Sequence, residues 1–299
     1  FLELSAALIA FLGVSLIKKD MKRNALYVGF AIILMSTSFF FFSIIRSGSP
    51  AIISFLILLA TVKALEKNGD ELSGVLLALL VIFPFYGWLS MLFILIWSLR
   101  QRRNSVIWWF LGTIVLFSFA VALLEPQWLL HYLRMWVRYF QQIEIGFIAN
   151  LLESVFPETF LISWFIVGIL ATLLLVEWGF AYKKDFILFY WVFQTTLVVE
   201  TLLTLNVALI NMVFIPSTLI FILASWEDRW KNSGRVVGVV ISVASVLLPW
   251  LLSSVLVDQG QLQALWITGF VALILLVNLY WIRWWLFRNV KLWYADVYS

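Results

Sequence analysis

Residues 63–103 read KALEKNGDELSGVLLALLVIFPFYGWLSMLFILIWSLRQRR, an apolar run (73–99) with basic residues at both ends. Pro84 divides the run, and a proline inside a helix removes a hydrogen bond and clashes with the preceding turn. A helix over residues 73–83 would be about 16 Å long, roughly half of the hydrocarbon layer of a bilayer. We therefore predict a broken helical hairpin that enters the membrane and returns, with a single kinked span as the alternative.

The distribution of basic residues favours the hairpin. The chain has 20 Lys and Arg residues, and all except Arg46, Arg134 and Arg138 fall in one alternating set of loops. The clusters in that set are Lys18/Lys19/Lys22/Arg23, Lys63/Lys67, Arg100/Arg102/Arg103, Lys183/Lys184, Arg229/Lys231/Arg235 and Arg283/Arg288/Lys291. Loops rich in Lys and Arg stay in the cytoplasm, and all of these clusters can lie there only if 73–99 returns. The sequence thus predicts a cytoplasmic C-terminus, with Phe1 on the outer side of the plasma membrane.

Composition indicates an integral membrane protein. Hydrophobic residues make up 64% of the chain and charged residues 12%, and the mean hydropathy is +1.04. We predict an all-α, multi-pass transmembrane helical bundle in one domain, residues 1–299, with about 11 hydrophobic segments. The segments are 2–17, 25–45, 50–65, 73–83, 84–99, 105–124, 159–180, 186–203, 207–225, 235–257 and 264–282.

Several classes of site are excluded by what the chain lacks. With no Cys and one His, it has no disulfide, no thiolate nucleophile and no Cys- or His-cluster metal site. It contains no phosphate-binding loop, dinucleotide-binding motif or nucleophile elbow, so no cofactor is predicted. The basic residues are sorted by membrane side, which argues against a nucleic-acid partner. Because the chain opens at Phe1 without an initiator Met or a basic signal region, we expect it to have been trimmed at its N-terminus.

The outer segment 125–158 is long enough to have structure of its own. We predict an amphipathic helix from about Pro126 to Gln142, lying flat in the outer interface. Crossing the membrane would cost ~2.5–3.5 kcal/mol for each central Arg. His131, Arg134 and Arg138 stand at i, i+3 and i+7, one stripe of a helix. The stripe fits the phosphate of a lipid carrier, or alternatively the headgroups of ordinary membrane lipids.

Two further residues are candidates. Arg46, in the outer loop that continues through Ser47–Pro50, could join backbone N–H groups in an anion-binding nest. The alternative is a plain turn whose Arg reaches the interface. Glu200 lies in a nearly unbroken apolar stretch, and an ionisable group at membrane depth is a functional hypothesis by default. The alternative is an exposed helix end.

The order of these features resembles the polytopic glycosyltransferases of the GT-C superfamily, especially glycosyltransferase family 87, which includes polyprenyl-phosphate-dependent mannosyltransferases. The resemblance is carried by Gly48, the Lys63–Lys67 turn, Gly74 with Ala78, Pro84, Arg100/Arg102/Arg103, Trp128 through Arg138, and Thr201–Asn211 before Pro216. The chain departs from the family at Phe83, where Lys is usual, and at Ser49, where Gln is common.

The resemblance implies a cell-envelope hexosyl or pentosyl transferase that moves a sugar from a polyprenyl-phosphate donor to an acceptor on the outer face. Arg46, Arg134 and Arg138 would hold the donor phosphate, with His131 as an orienting donor and Glu200 as a substrate contact. The general base would lie in a loop before Phe1. Two alternatives stay open. A transporter or flippase of a lipid or small solute would need paired broken helices, of which the sequence shows one. A structural subunit would need no site.

Overall fold

The computed structural model describes residues 2–17, 21–81, 87–142, 160–181, 186–203, 212–255 and 261–288, which are helical and contain no strand. The helices are α1 (Leu2–Ile17), α2 (Met21–Thr37), α3 (Phe39–Ser47), α4 (Ala51–Glu66), α5 (Asp70–Leu80), α6 (Trp88–Arg100), α7 (Asn104–Leu124), α8 (Trp128–Gln142), α9 (Phe160–Phe180), α10 (Phe186–Leu203), α11 (Ile215–Val255) and α12 (Gln261–Arg288). The all-α prediction is confirmed.

Four helical stretches in the described ranges are long and apolar enough to cross a membrane, and a fifth if the bent α2–α3 pair is one span. The four are Asn104–Leu124, Phe186–Leu203, Met212–Val255 and Trp266–Trp284. They indicate an integral membrane protein. The structure thus shows fewer spans than the predicted number of apolar segments. The reason is that several apolar runs form short helices, such as α5 with 11 residues and α6 with 13.

The two loops that flank the predicted hairpin are bound to each other. Arg103, just before α7, donates to the Leu65 carbonyl at 2.9 Å, to Asp70 Oδ1 at 3.1 Å and to Asn68 Oδ1 at 2.6 Å. The start of α5 and the end of α6 therefore lie on the same side of the molecule. This excludes the single kinked span, because the chain leaves this side of the molecule after Asp70 and has returned to it by Arg103. Pro84 itself lies outside the described residues.

Hydrogen bonds show that the ends of α1 and α9 also lie on this side. Lys63 of α4 donates to the Ser15 carbonyl of α1 at 2.6 Å, and Trp97 of α6 donates to the Ala181 carbonyl after α9 at 2.9 Å. We call this the basic side, because the ends of the hairpin that carry Lys63 and Arg103 lie on it.

An ion pair between α9 and α12 shows that the end of α12 also lies on the basic side. Arg283 of α12 contacts both carboxylate oxygens of Glu177 in α9, at 2.9 and 3.0 Å. The guanidinium also lies over the rings of Phe180 and Trp191. Glu177 is buried, with 3% of its side chain exposed. This bidentate pair therefore links α9 to α12 next to Trp191 of α10.

Helix α10 is the centre of the bundle, since every residue from Leu188 to Leu202 is buried. Two of its polar side chains bond to neighbouring helices. Gln194 Oε1 accepts from Thr218 of α11 at 2.7 Å. Trp191 Nε1 donates to the Leu279 carbonyl of α12 at 2.7 Å. Such contacts are how membrane helices associate when lipid is as apolar as their side chains.

Helix α11 reverses direction at Trp230 and Lys231, whose backbone angles are not helical. Its two arms pack closely: a Cβ at Gly238 would lie 2.5 Å from Leu223 Cδ1, and one at Gly234 would overlap the Trp226 carbonyl. Two apolar segments joined by the Arg229–Arg235 turn were predicted here, and the structure agrees.

The run 25–45 was predicted as one helix, and the structure corrects this. The chain bends by 61° between α2 and α3. Ser38 at the bend is extended (φ −73°, ψ 128°), and the Thr37 carbonyl accepts from Trp250 Nε1 at 2.9 Å instead of from its own helix. The preceding hydroxyls bond back to helix carbonyls, Thr37 to Ile33 at 2.7 Å, which loosens a helix.

Candidate functional site

The side chain of Glu200 reaches from α10 to the first turn of α6. Its Oε1 accepts from the Leu89 backbone N–H and its Oε2 from the Ser90 hydroxyl, each at 3.3 Å. Gly87, the residue before α6, adopts a left-handed conformation and has no side chain that could cap the helix. The free N–H groups at a helix start attract negative charge. Glu200 therefore acts as the missing cap.

Glu200 lies deep in the helical bundle. It is 2% exposed, so the alternative of an exposed helix end is wrong. Along α10 it lies about 21 Å from Phe186, and along α6 Leu89 lies about 17 Å from Arg100, at 1.5 Å per residue. Both helix ends are on the basic side. The contact thus lies about 17–21 Å from the basic side, measured along these two helices.

The other end of the hairpin break is capped by α8. The Tyr132 hydroxyl donates to the Val81 carbonyl at 2.6 Å, just after α5 ends. Burial raises the pKa of this tyrosine above its usual value, so the hydroxyl keeps the proton that it donates. One polar side chain from another helix therefore binds each described end of the break, Glu200 at the start of α6 and Tyr132 at the end of α5.

Helix α8 has three distinct faces. The aromatic strip, Trp128, Tyr132 and Trp136, recurs every four residues, is half-buried, and faces the protein with its rings 6.2 and 6.4 Å apart. The cationic strip, His131, Arg134 and Arg138, is exposed. The apolar strip, Leu130, Leu133 and Val137, is 55%, 51% and 56% exposed.

The predicted helix boundaries for this segment agree with the structure, and the three polar residues share one face as expected. The aromatic residues were predicted to lie at headgroup depth. In the structure, the Tyr132 hydroxyl donates to the Val81 carbonyl just after the end of α5. The part of the outer segment from 143 to 158 lies outside the described residues.

His131 has a partner within the chain. Its Nδ1 lies 2.9 Å from Glu125 Oε1, and both side chains are more than half exposed. The contact ties the first turns of α8 to the residue that follows α7. It also leaves Arg134 and Arg138 as the cations of the strip.

The Arg46 loop does not form the nest that was considered for it. The N–H groups of Gly48 and Ser49 donate to α3 carbonyls, at 3.1 Å to Ile45 and 3.3 Å to Ile44. Gly48 adopts a left-handed conformation (φ 65°), which is the usual way to end a helix. Arg46 is exposed at the end of α3. It offers a single cation without backbone donors from these two residues.

The candidate site therefore has two parts: the described ends of the α5–α6 hairpin, which Glu200 and Tyr132 contact, and the exposed cationic strip on α8, the helix that carries Tyr132. No protein-family model, curated protein or solved structure matches the chain.

Proposed function

We propose that the chain is a plasma-membrane glycosyltransferase of the GT-C type. It would move a sugar from a polyprenyl-phosphate donor to an acceptor on the face opposite the basic side. The observation that carries the proposal is the position of α8. This helix presents Arg134 and Arg138 on one exposed face while Tyr132, on another face, is bound at the membrane break.

For this glycosyl transfer, the protein needs mainly to position the two substrates and to stabilise the charge on the departing phosphate. The acceptor oxygen forms a bond to the anomeric carbon, the bond from that carbon to the phosphate oxygen breaks, and the electron pair leaves with the lipid phosphate. Arg134 and Arg138 would stabilise that negative charge, as preorganised cations do for departing phosphates. The acceptor proton goes to a carboxylate. In the family that the chain resembles, this carboxylate belongs to the first outer loop, so the role is not assigned to Glu200.

The membrane arrangement belongs to the same proposal. By the positive-inside rule, the basic side is cytoplasmic, and the α8 side faces out. The C-terminus would then be cytoplasmic and the start of α1 outside. The short helices α1, α4, α5 and α6, the apolar helix α9 and the two arms of α11 would each be a membrane segment. Together with the bent α2–α3 pair, α7, α10 and α12 they give 11 membrane segments.

A binding and transfer assay tests the proposal. The protein is reconstituted in liposomes with a polyprenyl-phosphate-linked radiolabelled sugar, and bound donor and transferred label are both measured. Arg134→Gln with Arg138→Gln should lower donor binding at least tenfold, or about 1.4 kcal/mol. Lys67→Gln, which removes an exposed charge on the basic side, is the control. Equal donor binding by the wild type, the double variant and the control would refute the assignment.

A transporter or flippase remains the second candidate, and one observation favours it. The sequence shows one broken helix, but the structure contains a second, at Ser38. Paired broken helices are typical of transporters, where freed backbone groups meet the substrate. Liposomes that contain labelled polyprenyl phosphate without sugar or acceptor separate the two functions. Movement of the lipid between leaflets under these conditions supports transport. The absence of such movement, together with label transfer in the donor assay above, supports the enzyme.

A further inference from the structure

The carboxylate of Glu200 forms a polar link between α10 and the first turn of α6. It accepts hydrogen bonds from the Leu89 N–H and from the Ser90 hydroxyl. The backbone N–H groups of Trp88 and Ser90 also lie near the carboxylate. Glu200 is buried. Because each of these partners is a donor, Glu200 serves this contact as an acceptor.

A proton on Glu200 changes this contact. An ionised carboxylate only accepts hydrogen bonds, whereas a protonated one carries an O–H that must donate. The proton also removes the negative charge that the start of a helix attracts. Hydrogen bonds to a charged group are stronger than those between neutral groups. Neutral Glu200 therefore holds the start of α6 more weakly than ionised Glu200 does.

The other titratable groups around this contact lie closer to the basic side. Helices α6, α9, α11 and α12 pack against α10, and Leu58 of α4 lies beside Gly87. Arg283 contacts Glu177 and lies over the Trp191 ring, about 13 Å along α10 from Glu200. The titratable groups among the described side chains of these helices are Arg100 of α6, Tyr190 of α10, Glu177 of α9, Tyr280 and Arg283 of α12, the charged turn 227–235 of α11, and Lys63 and Glu66 of α4. Among the described groups of these helices, Glu200 is thus the one placed to bind a proton at the start of α6.

We propose that Glu200 is a proton-binding site and that its protonation releases the start of α6 from α10. The contact at the end of α5 joins the Tyr132 hydroxyl to the Val81 carbonyl and contains no carboxylate. Helix α5 therefore stays bound to α8 when the start of α6 is released. The inference does not depend on the proposed sugar transfer. It gives the hairpin two states, which differ in one proton on Glu200.

The test follows the start of α6 with a spin label while the pH is changed. The chain has no Cys, so Leu92→Cys and Leu99→Cys each place a single label at an exposed position of α6. The labelled protein in phosphatidylcholine liposomes is titrated from about pH 9 to about pH 4, a range that includes the ordinary pKa of glutamate. As the pH falls, the ratio of mobile to immobile label at Leu92 should rise about tenfold, because hydrogen bonds to a charged group are lost. The label at Leu99, near the other end of the helix, should not change.

Two carboxylate variants assign the response to one residue. Glu200→Gln has nearly the same size and no carboxylate to titrate, so its Leu92 label should be as mobile at every pH as the wild-type label at low pH. Infrared difference spectra between high and low pH record protonated carboxyl groups directly, and this variant should lack one band of the wild type. Glu125→Gln, which changes an exposed carboxylate, is the control and should keep the wild-type response.

Circular dichroism and gel filtration establish that each variant folds. If Glu200→Gln does not fold, Glu200→Asp replaces it. Its carboxylate is one carbon shorter and should not reach α6, so the label at Leu92 should again be mobile at every pH.

The outcomes decide the inference. A response at Leu92 that is absent at Leu99 and is lost in the Glu200 variant supports it. Unchanged mobility at Leu92 in the wild type overturns it, and this result needs no Glu200 variant. An equal response at Leu99 shows that the whole helix loosens, and a response that persists in the Glu200 variant belongs to another group. Both of these results also overturn the inference, and neither bears on donor binding by Arg134 and Arg138.

Discussion

Arg103 and Asp70 are joined by a 3.1 Å hydrogen bond between a guanidinium and a carboxylate. Asp70 is the first residue of α5, and Arg103 directly precedes α7. The pair is only partly exposed, at 24% and 25%. Their contact fixes both ends of the α5–α6 hairpin to one side of the molecule, which makes the membrane topology testable.

We expect thiol labelling to place both ends of the hairpin on one side. The chain has no Cys, so Lys67→Cys, Arg100→Cys and Gln127→Cys each introduce a single thiol at an exposed position. A membrane-impermeant maleimide should label Lys67→Cys and Arg100→Cys from the same side. Gln127→Cys, beyond the 21-residue α7, should be labelled from the other side. Labelling of the first two variants from opposite sides would contradict the structure.

Glu200→Leu should destabilise the protein by about 2 kcal/mol, since it leaves the first N–H groups of α6 without an acceptor in a buried position. Glu200→Gln keeps one acceptor oxygen and should cost less. The measurement is thermal unfolding in detergent. Glu125→Gln, which changes a carboxylate that is 58% exposed, is the control and should be close to neutral. A Glu200→Leu variant as stable as this control would show that the cap is not needed.

Gly74→Ala should push α5 away from α7. A Cβ there would lie 2.5 Å from the Val106 carbonyl and 2.7 Å from Trp109 Cβ. Overpacking of this kind costs about 1–3 kcal/mol, again measured by thermal unfolding. Gly112→Ala in α7 has nothing within 4 Å and should be neutral or gain about 0.5–1 kcal/mol from helix propensity. If the two substitutions change the unfolding temperature equally, the close approach of α5 and α7 at Gly74 is contradicted.

Tyr132→Phe should loosen α8, because one hydrogen bond of about 1 kcal/mol is lost at the end of α5. Hydrogen exchange of the α8 amides measures this, with His131→Ala as the comparison. The pKa of the tyrosine is raised in the folded protein. The contact is therefore fully present below the ordinary tyrosine pKa and lost only as pH rises past the raised value. A tyrosinate absorbance titration of wild type against variant should show one late-titrating group. Its absence, or unchanged exchange, would argue against the contact.

Glu177→Leu and Arg283→Leu should each destabilise the protein more than the two together. Each single change leaves a charge behind in a buried site, at a cost of about 3–5 kcal/mol. The lower end applies here, because Arg283 is 30% exposed. The double variant replaces the pair with packed apolar groups and should recover much of the loss. Additive effects in this double-mutant cycle would mean that the two residues do not interact.

Local sequence patterns were enough to predict α8 and the returning hairpin. The spacing of His131, Arg134 and Arg138 identifies one helical face, and the basic clusters near Lys67 and Arg100 require the chain to return. These signals are short-range or depend only on charge. They carry no information about which helices meet in the bundle.

The bend at Ser38 and the burial of Glu200 escaped prediction for different reasons. The bend contains no proline or glycine. It arises where side-chain hydroxyls bond to helix carbonyls and where Trp250 donates to the carbonyl of Thr37. A run of Ser36, Thr37 and Ser38 inside apolar sequence was the available signal. Glu200 owes its burial to a contact with Leu89, which is 111 residues away, so no local pattern reveals it.

The same distance along the chain has a consequence for how the protein is made. Ribosomes add roughly 5–20 residues per second, so Glu200 emerges on the order of 10 s after Leu89. During that interval α6 has been synthesised without the carboxylate that caps it. A helix of 13 residues with open N–H groups is a poor candidate for stable insertion by itself. The hairpin can therefore reach its final form only after α10 has been synthesised, so the contact at the centre of the bundle forms later than the two helices of the hairpin.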